Sequence, residues 1–152
     1  MSRAEVQVAL MSPRDAVHLL EAHHALMQSL FSEESNNYLE LEELQRPEIR
    51  FFGASLEGDV IGCGALALKP GYGEIKSMHV AETARGKGVA GDILGRLISE
   101  AKGEKLKLLR LETGDKLEAA HRLYARHGFS FRGPFGDYPD LPESMFMEKR
   151  LY

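Results

Sequence analysis

Three glycines within one short stretch, Gly86, Gly88 and Gly91, stand with Arg85 and Lys87 between a strand-like run ending at Val80 and a periodic apolar segment. In that segment Val89, Ile93, Leu94, Leu97, Ile98 and Ala101 recur at helical spacing, which predicts one helix with a continuous buried face. Lys102 and Gly103 close it as a cationic last turn and a glycine stop. Two cations therefore sit at a helix start, where the unpaired amides and the macrodipole already carry partial positive charge. The missing partner is an anion. Because the glycines let the backbone approach closely, Arg85, Gly86, Lys87, Gly88, Val89, Ala90 and Gly91 read as a cradle for a phosphate or diphosphate. A solvated glycine-rich turn is the alternative. The Walker loop is excluded because no Lys-Ser or Lys-Thr follows the last glycine.

Arg85-x-x-Gly88-x-Ala90 resembles the acyl-CoA signature of the GNAT N-acetyltransferase superfamily. Ala120-x-x-Leu123-Tyr124-x-x-x-Gly128-Phe129 resembles that family's second conserved segment, and the similarity runs from about Gly53 onward. Residues 109–114, 134–138 and 146–149 are similar to a group of bacterial small-molecule GNAT enzymes. The resemblance implies a single α/β domain over residues 1–152, with a mixed, mostly antiparallel sheet flanked by about four helices. It implies acetyl-CoA as co-substrate, no metal, and direct attack by a primary amine of a small molecule in a ternary complex. By the same resemblance the backbones of Met78 and Val80, with His79 between them, hold the pantetheine arm, and the Met78 amide faces the thioester carbonyl. Glu74 then falls at the general base and Tyr124 at the proton donor to sulfur. Each has a competing reading: a surface ion pair of Glu74 with Lys76, and core packing for Tyr124. Period two places Glu74, Lys76, Met78 and Val80 on one strand face. His79 and His121 are alternative bases or packing residues, and Lys116, Arg122 and Arg126 are candidate cations for the adenine and 3′-phosphate end. Leu117 departs from the pattern, since many relatives carry a cofactor-bonding asparagine there. A non-catalytic acyl-CoA-binding module is the other class this pattern admits.

The 152 residues, 43% of them hydrophobic, are enough for one buried core and leave no room for a second domain. A formal net charge of −4 argues against a nucleic-acid partner and is permissive for a cationic substrate. The single cysteine, Cys63, rules out an internal disulfide and sits in a strand-like setting. With no apolar run of membrane-spanning length and no signal-peptide pattern, a soluble cytoplasmic protein is expected. A homodimer is compatible with the sequence.

In chain order, residues 4–11 alternate as a strand, and Ser12-Pro13 opens a helix to about Leu30. His23 and His24 point apart, so a metal pair is not expected there. A short helix is predicted over residues 38–45, and Glu33, Glu34, Glu40, Glu42 and Glu43 would either attract an amine or form a solvated face. Residues 49–56 and 60–68 form a hairpin, 72–80 the strand into the cradle, and 106–112 a leucine-rich strand expected to be buried on both faces. A helix over 115–127, a strand at 129–132, a loop over 133–144 and a last strand at 145–151 complete an α/β order.

Overall fold

The computed structural model describes residues 5–152, so Ala4 at the head of the predicted first strand lies outside the described residues. Strand β1 is Gln7–Leu10. Ser12 caps the next turn, its hydroxyl accepting from the Arg14 amide at 3.2 Å. That turn is a separate 3-10 piece, Pro13–Ala16, and the helix α1 proper is Val17–Leu30. Helix α2 is only Leu41–Leu44, shorter than the predicted span, because Glu40 is its N-cap and Glu43 folds back on the Glu40 amide in a capping box. Strands β2 (Ile49–Leu56) and β3 (Asp59–Lys69) form the predicted hairpin. Glu57 and Gly58 take its turn at φ 51° and 87°. Then follow β4 (Tyr72–Val80), a 3-10 turn at Glu82–Ala84, α3 (Val89–Gly103), β5 (Leu108–Gly114), α4 (Glu118–Arg126), β6 (Ser130–Arg132) and β7 (Ser144–Arg150).

The seven strands make one sheet in the order β1-β2-β3-β4-β5-β7-β6, antiparallel throughout except between β4 and β5. This is an α/β fold with a mixed, mostly antiparallel sheet and four helices, as the resemblance implies. Helices α3 and α4 cover one face, where Val89, Ile93, Leu94 and Leu97 bury against Phe52, Leu66 and Leu109. Each such side chain contributes about 1.5–3 kcal/mol. On the other face α1 and α2 set Leu19, Leu20 and Leu44 against Phe51, Cys63 and Ala65. Among the described residues no helix is long and apolar enough to cross a membrane.

Close approach of α3 depends on Gly64 of β3, where a Cβ would lie 2.6 Å from Met78 Sδ and 2.8 Å from Ile93 Cγ2. Gly64→Val should therefore overpack this layer and cost about 1–3 kcal/mol. Calorimetry should record a melting temperature lower by several degrees, and an unchanged one would mean that α3 is free to shift.

Two features of the sheet differ from the sequence reading and shape the site. Strand β5 alternates: Leu109, Leu111 and Thr113 are buried while Leu108, Arg110 and Glu112 are half-buried on the other face. It is therefore not buried evenly on both sides, because β5 has helices on one face and polar partners on the other. In β4, Cys63 pairs with His79 and Ala65 with Lys76, leaving both Ser77 and Met78 opposite Gly64. This is a bulge, with Ser77 at φ 57°. The alternation slips by one residue there. Glu74 and Lys76 thus share the α1 face with His79, while Met78 and Val80 turn to the α3 face, correcting the single-face reading of this strand. Pairing of β4 with β5 covers only Gly73↔Leu109, Glu74↔Arg110 and Ile75↔Leu111. Beyond Ile75 the two strands part.

Candidate active site

Where the strands part, a cavity of about 490 Å³ opens between residues 76–80 of β4 and 112–114 of β5, bordered by α1, α4 and the start of α3. The glycine-rich stretch forms one end of it. Gly86 and Gly88 have φ of 76° and 81°, and a Cβ at either would meet open space. Gly88 is the N-cap of α3 and no side chain caps the helix, so its first amides are free for a ligand. Arg85, Gly86, Gly88, Val89, Ala90 and Gly91 border the cavity, as do Met78, His79 and Val80. Lys87 is outside this wall and reaches the Thr83 carbonyl at 3.4 Å. Arg85 Nε donates to the Val80 carbonyl at 3.1 Å, which ties the cradle to the end of β4. Of the three candidate cations downstream, only Arg126 borders the cavity; Arg122 is outside its wall, and Lys116 is engaged by the Leu30 carbonyl and Glu143. Leu117 borders the cavity as an apolar wall residue.

Tyr124 is 6% exposed and faces the same space from α4, its ring against the edge of Phe129. Its hydroxyl has no hydrogen-bond partner among the described residues. Burial first, and the nearby Glu112 carboxylate second, hold its phenol well above the usual tyrosine range. It remains protonated at neutral pH.

Glu74 is 3% exposed and does not border the cavity. Its Oε2 accepts from the Tyr138 hydroxyl and lies 3.5 Å from Lys76 Nζ. Lys76 in turn donates to the Asn37 carbonyl at 2.9 Å and to Tyr138 Oη at 2.7 Å. The expected Glu74–Lys76 pair therefore forms, but it is interior rather than on the surface. The carboxylate that does border the cavity is Glu112, which the sequence reading passed over. Burial is the main cause that raises its pKa and Glu74 adds to it, while Ser144, Lys76 and Asn37 oppose. Of the two alternative histidines, His121 is outside the wall, its Nε2 at 2.8 Å from the Gly114 carbonyl. His79 is in the wall with its Nδ1 3.3 Å from Nδ1 of His23. His24 stacks on Tyr38 at 4.0 Å, and its ring centroid is 6.2 Å from that of His23, so the two neighbours diverge less than adjacent positions on a helix imply.

Glu33, Glu34, Glu40, Glu42 and Glu43 all lie outside the cavity wall. Instead the rim beside α1 is held by Glu143, whose Oε1 accepts from the Ser32 amide at 3.1 Å, the Ser32 hydroxyl at 2.7 Å and the Ser35 hydroxyl at 2.9 Å. The Ser32 hydroxyl, its amide and then Ser35 lower the Glu143 carboxyl to about 2. At the end of α1, Phe31 lies directly on Gly114 of β5, where a Cβ could not fit.

A cavity at a sheet split, walled by a bare helix N-terminus, a buried phenol and a half-buried carboxylate, is matched by sequence. The chain belongs to the Acetyltransferase (GNAT) family, whose model matches residues 17–129. It is 44% identical over 150 residues to an IAA acetyltransferase of Azospirillum brasilense, covering 96% of this chain and 98% of that protein. It is 38% identical over 149 residues to the uncharacterized N-acetyltransferase YsnE of Bacillus subtilis, covering 96% and 99%. Among solved structures, a Klebsiella pneumoniae protein assigned as an acyl-CoA N-acyltransferase superposes with a TM-score of 0.82 at 29% identity, over 99% of this chain and 100% of that one. The PaiA N-acetyltransferase of Thermoplasma acidophilum, crystallised with coenzyme A, has a TM-score of 0.72 at 17% identity, over 96% and 99%, and shares the fold.

Proposed function

We propose that the chain transfers an acetyl group from acetyl-CoA to a primary amine of a small molecule by direct attack in a ternary complex. The observation that carries this reading is the convergence of the cradle, Tyr124 and Glu112 on one cavity. Acetyltransferase relatives over nearly the full length support it. The free amides at the start of α3, with Arg85, would hold the diphosphate, and the parted end of β4 would take the pantetheine arm along Met78, His79 and Val80. The Met78 amide, in the bulge, is assigned to the thioester oxygen.

Glu112 is the general base in this reading rather than Glu74. A base must reach the amine that it deprotonates, and Glu112 borders the cavity whereas Glu74 is bound to Lys76 and Tyr138. Burial that raises a carboxyl pKa also makes the carboxylate a stronger base, which suits the task. Tyr124 donates a hydrogen bond to the departing sulfur. A thiolate with a reference pKa near 8.5 does not take a proton outright from a phenol held above 10, so its effect lies in a bond that strengthens as negative charge develops.

The test is thiol release from acetyl-CoA with a panel of amines. Tyr124→Phe should lower kcat by about tenfold to a hundredfold with little change in KM for acetyl-CoA. Equal kcat in the two proteins would leave Tyr124 as a packing residue. Tight CoA binding with no thiol release for any acceptor would favour the non-catalytic acyl-CoA-binding module.

A further inference from the structure

His23 of α1 and His79 of β4 meet in the cavity wall, Nδ1 to Nδ1 at 3.3 Å with ring centroids 5.2 Å apart, edge to face. At this separation one Nδ1 carries the shared proton and the other accepts it. The ring that donates through Nδ1 has a bare Nε2, and the ring that accepts has a protonated Nε2. Whichever way the shared proton sits, the pair offers one donor and one acceptor. Neither Nε2 has a hydrogen-bond partner among the described residues, the pair's bond running between the two Nδ1 atoms. Burial foremost, and then repulsion that a charged His23 would meet from His79, His24 and Lys76, lowers His23 to about 3; burial and then Arg85 lower His79 to about 4. Both rings are therefore neutral at pH 7.

Around the pair this end of the cavity is lined by Leu26, Met27 and Phe31, and Glu112 is the one carboxylate in the wall among the described residues. A second ammonium on the acceptor would find no anion to pair with once Glu112 has served the reacting amine. An ammonium only donates hydrogen bonds and a carboxylate only accepts them, so neither matches the imidazole pair. A hydroxyl or a primary carboxamide does both.

We propose that the acceptor is a monoamine with an apolar body bearing a hydroxyl or carboxamide, which the His23–His79 pair recognises, and that diamines and polyamines are rejected. The proposal rests on the reading of the chain as an amine acetyltransferase. It is tested by kcat/KM for two matched sets: pentylamine, 5-aminopentanol and cadaverine; and phenethylamine and tyramine, with spermidine added. In at least one set the hydroxylated amine should exceed its unsubstituted analogue by about tenfold or more, because a site left with an unmet donor and acceptor discriminates strongly. Cadaverine and spermidine should be the poorest substrates. His23→Leu should bring the hydroxyl preference to near one without changing KM for acetyl-CoA. His23→Gln, which keeps a neutral group able to donate and accept, should restore part of it. Circular dichroism checks that both variants fold. The proposal is overturned if the hydroxyl gives no gain in either set, if cadaverine or spermidine matches the monoamines, or if His23→Leu keeps the wild-type preference. Absence of thiol release with every amine overturns the acetyltransfer reading itself, and the acceptor proposal with it.

Discussion

Glu112→Gln should lower kcat/KM at pH 7 by about 10²- to 10⁴-fold for an alkyl amine acceptor, the span typical of a lost general base. The size follows from the substrate. An amine of pKa near 10.4 is neutral in roughly one molecule in a few thousand at pH 7, so the base has a large deficit to make up. For an α-amino group near pKa 8 roughly a tenth is already neutral, and the loss should shrink to about tenfold. Raising the pH should recover much of the activity in either case. The wild-type profile carries a sign of its own: since burial raises the Glu112 pKa, the basic form disappears as the pH falls through that raised value. The acid limb of kcat/KM should therefore sit above the ordinary glutamate range and be absent in the glutamine variant. Glu74→Gln provides the contrast, because Glu74 contacts Lys76 and Tyr138 rather than the cavity. If Glu74→Gln abolishes the acid limb and Glu112→Gln retains it, the base is Glu74 after all.

The second large effect belongs to the cradle. Gly88→Asp should weaken CoA binding by roughly a hundredfold more than Gly88→Asn, as measured by calorimetry. At about 5 Å and an effective dielectric constant near 20, a carboxylate opposing a phosphate costs about 3 kcal/mol. The asparagine variant removes the confounding term: Gly88 is at φ 81°, a left-handed conformation that asparagine and aspartate both tolerate better than most residues. With backbone strain and size matched, the difference isolates charge. Equal affinities would mean that no anion sits at the start of α3.

Much of this site was legible because its signals are local. Glycines at Gly86 and Gly88 were read as close-approach positions, and they do take positive φ beside open space. The helix α3, the hairpin of β2 and β3, and the bounds of β4 followed from period and turn residues within a few positions of one another. What was missed is non-local or chemically silent. The bulge in β4 falls at Ser77, which has a positive φ with no glycine or asparagine to announce it. Every side chain after it faces the opposite way from a simple alternation, so the position of Glu74 could not be inferred from that of Val80. Glu112 had a weak signal: Arg110 and Glu112 sit two apart among leucines, which marks a polar face on a strand that was read as evenly buried. The contact of His23 with His79 spans 56 positions and leaves no trace in local pattern. The five glutamates around α2 lie outside the cavity wall, which local pattern could not tell either. Their sequence setting was suggestive, but capping and solvent account for those side chains.

The bonding of Glu143 to Ser32 and Ser35 has a consequence for how the cavity can be reshaped. One side of the cavity mouth is assembled from two pieces of chain, the turn after α1 and the loop before β7, which are separated by more than a hundred positions yet share one carboxylate. Exchanging either piece alone for that of another protein strands a glutamate without donors, or three donors without their glutamate. Retailoring the pocket by transplantation therefore requires both pieces to travel together, so that the unit of exchange is a matched pair rather than a single loop.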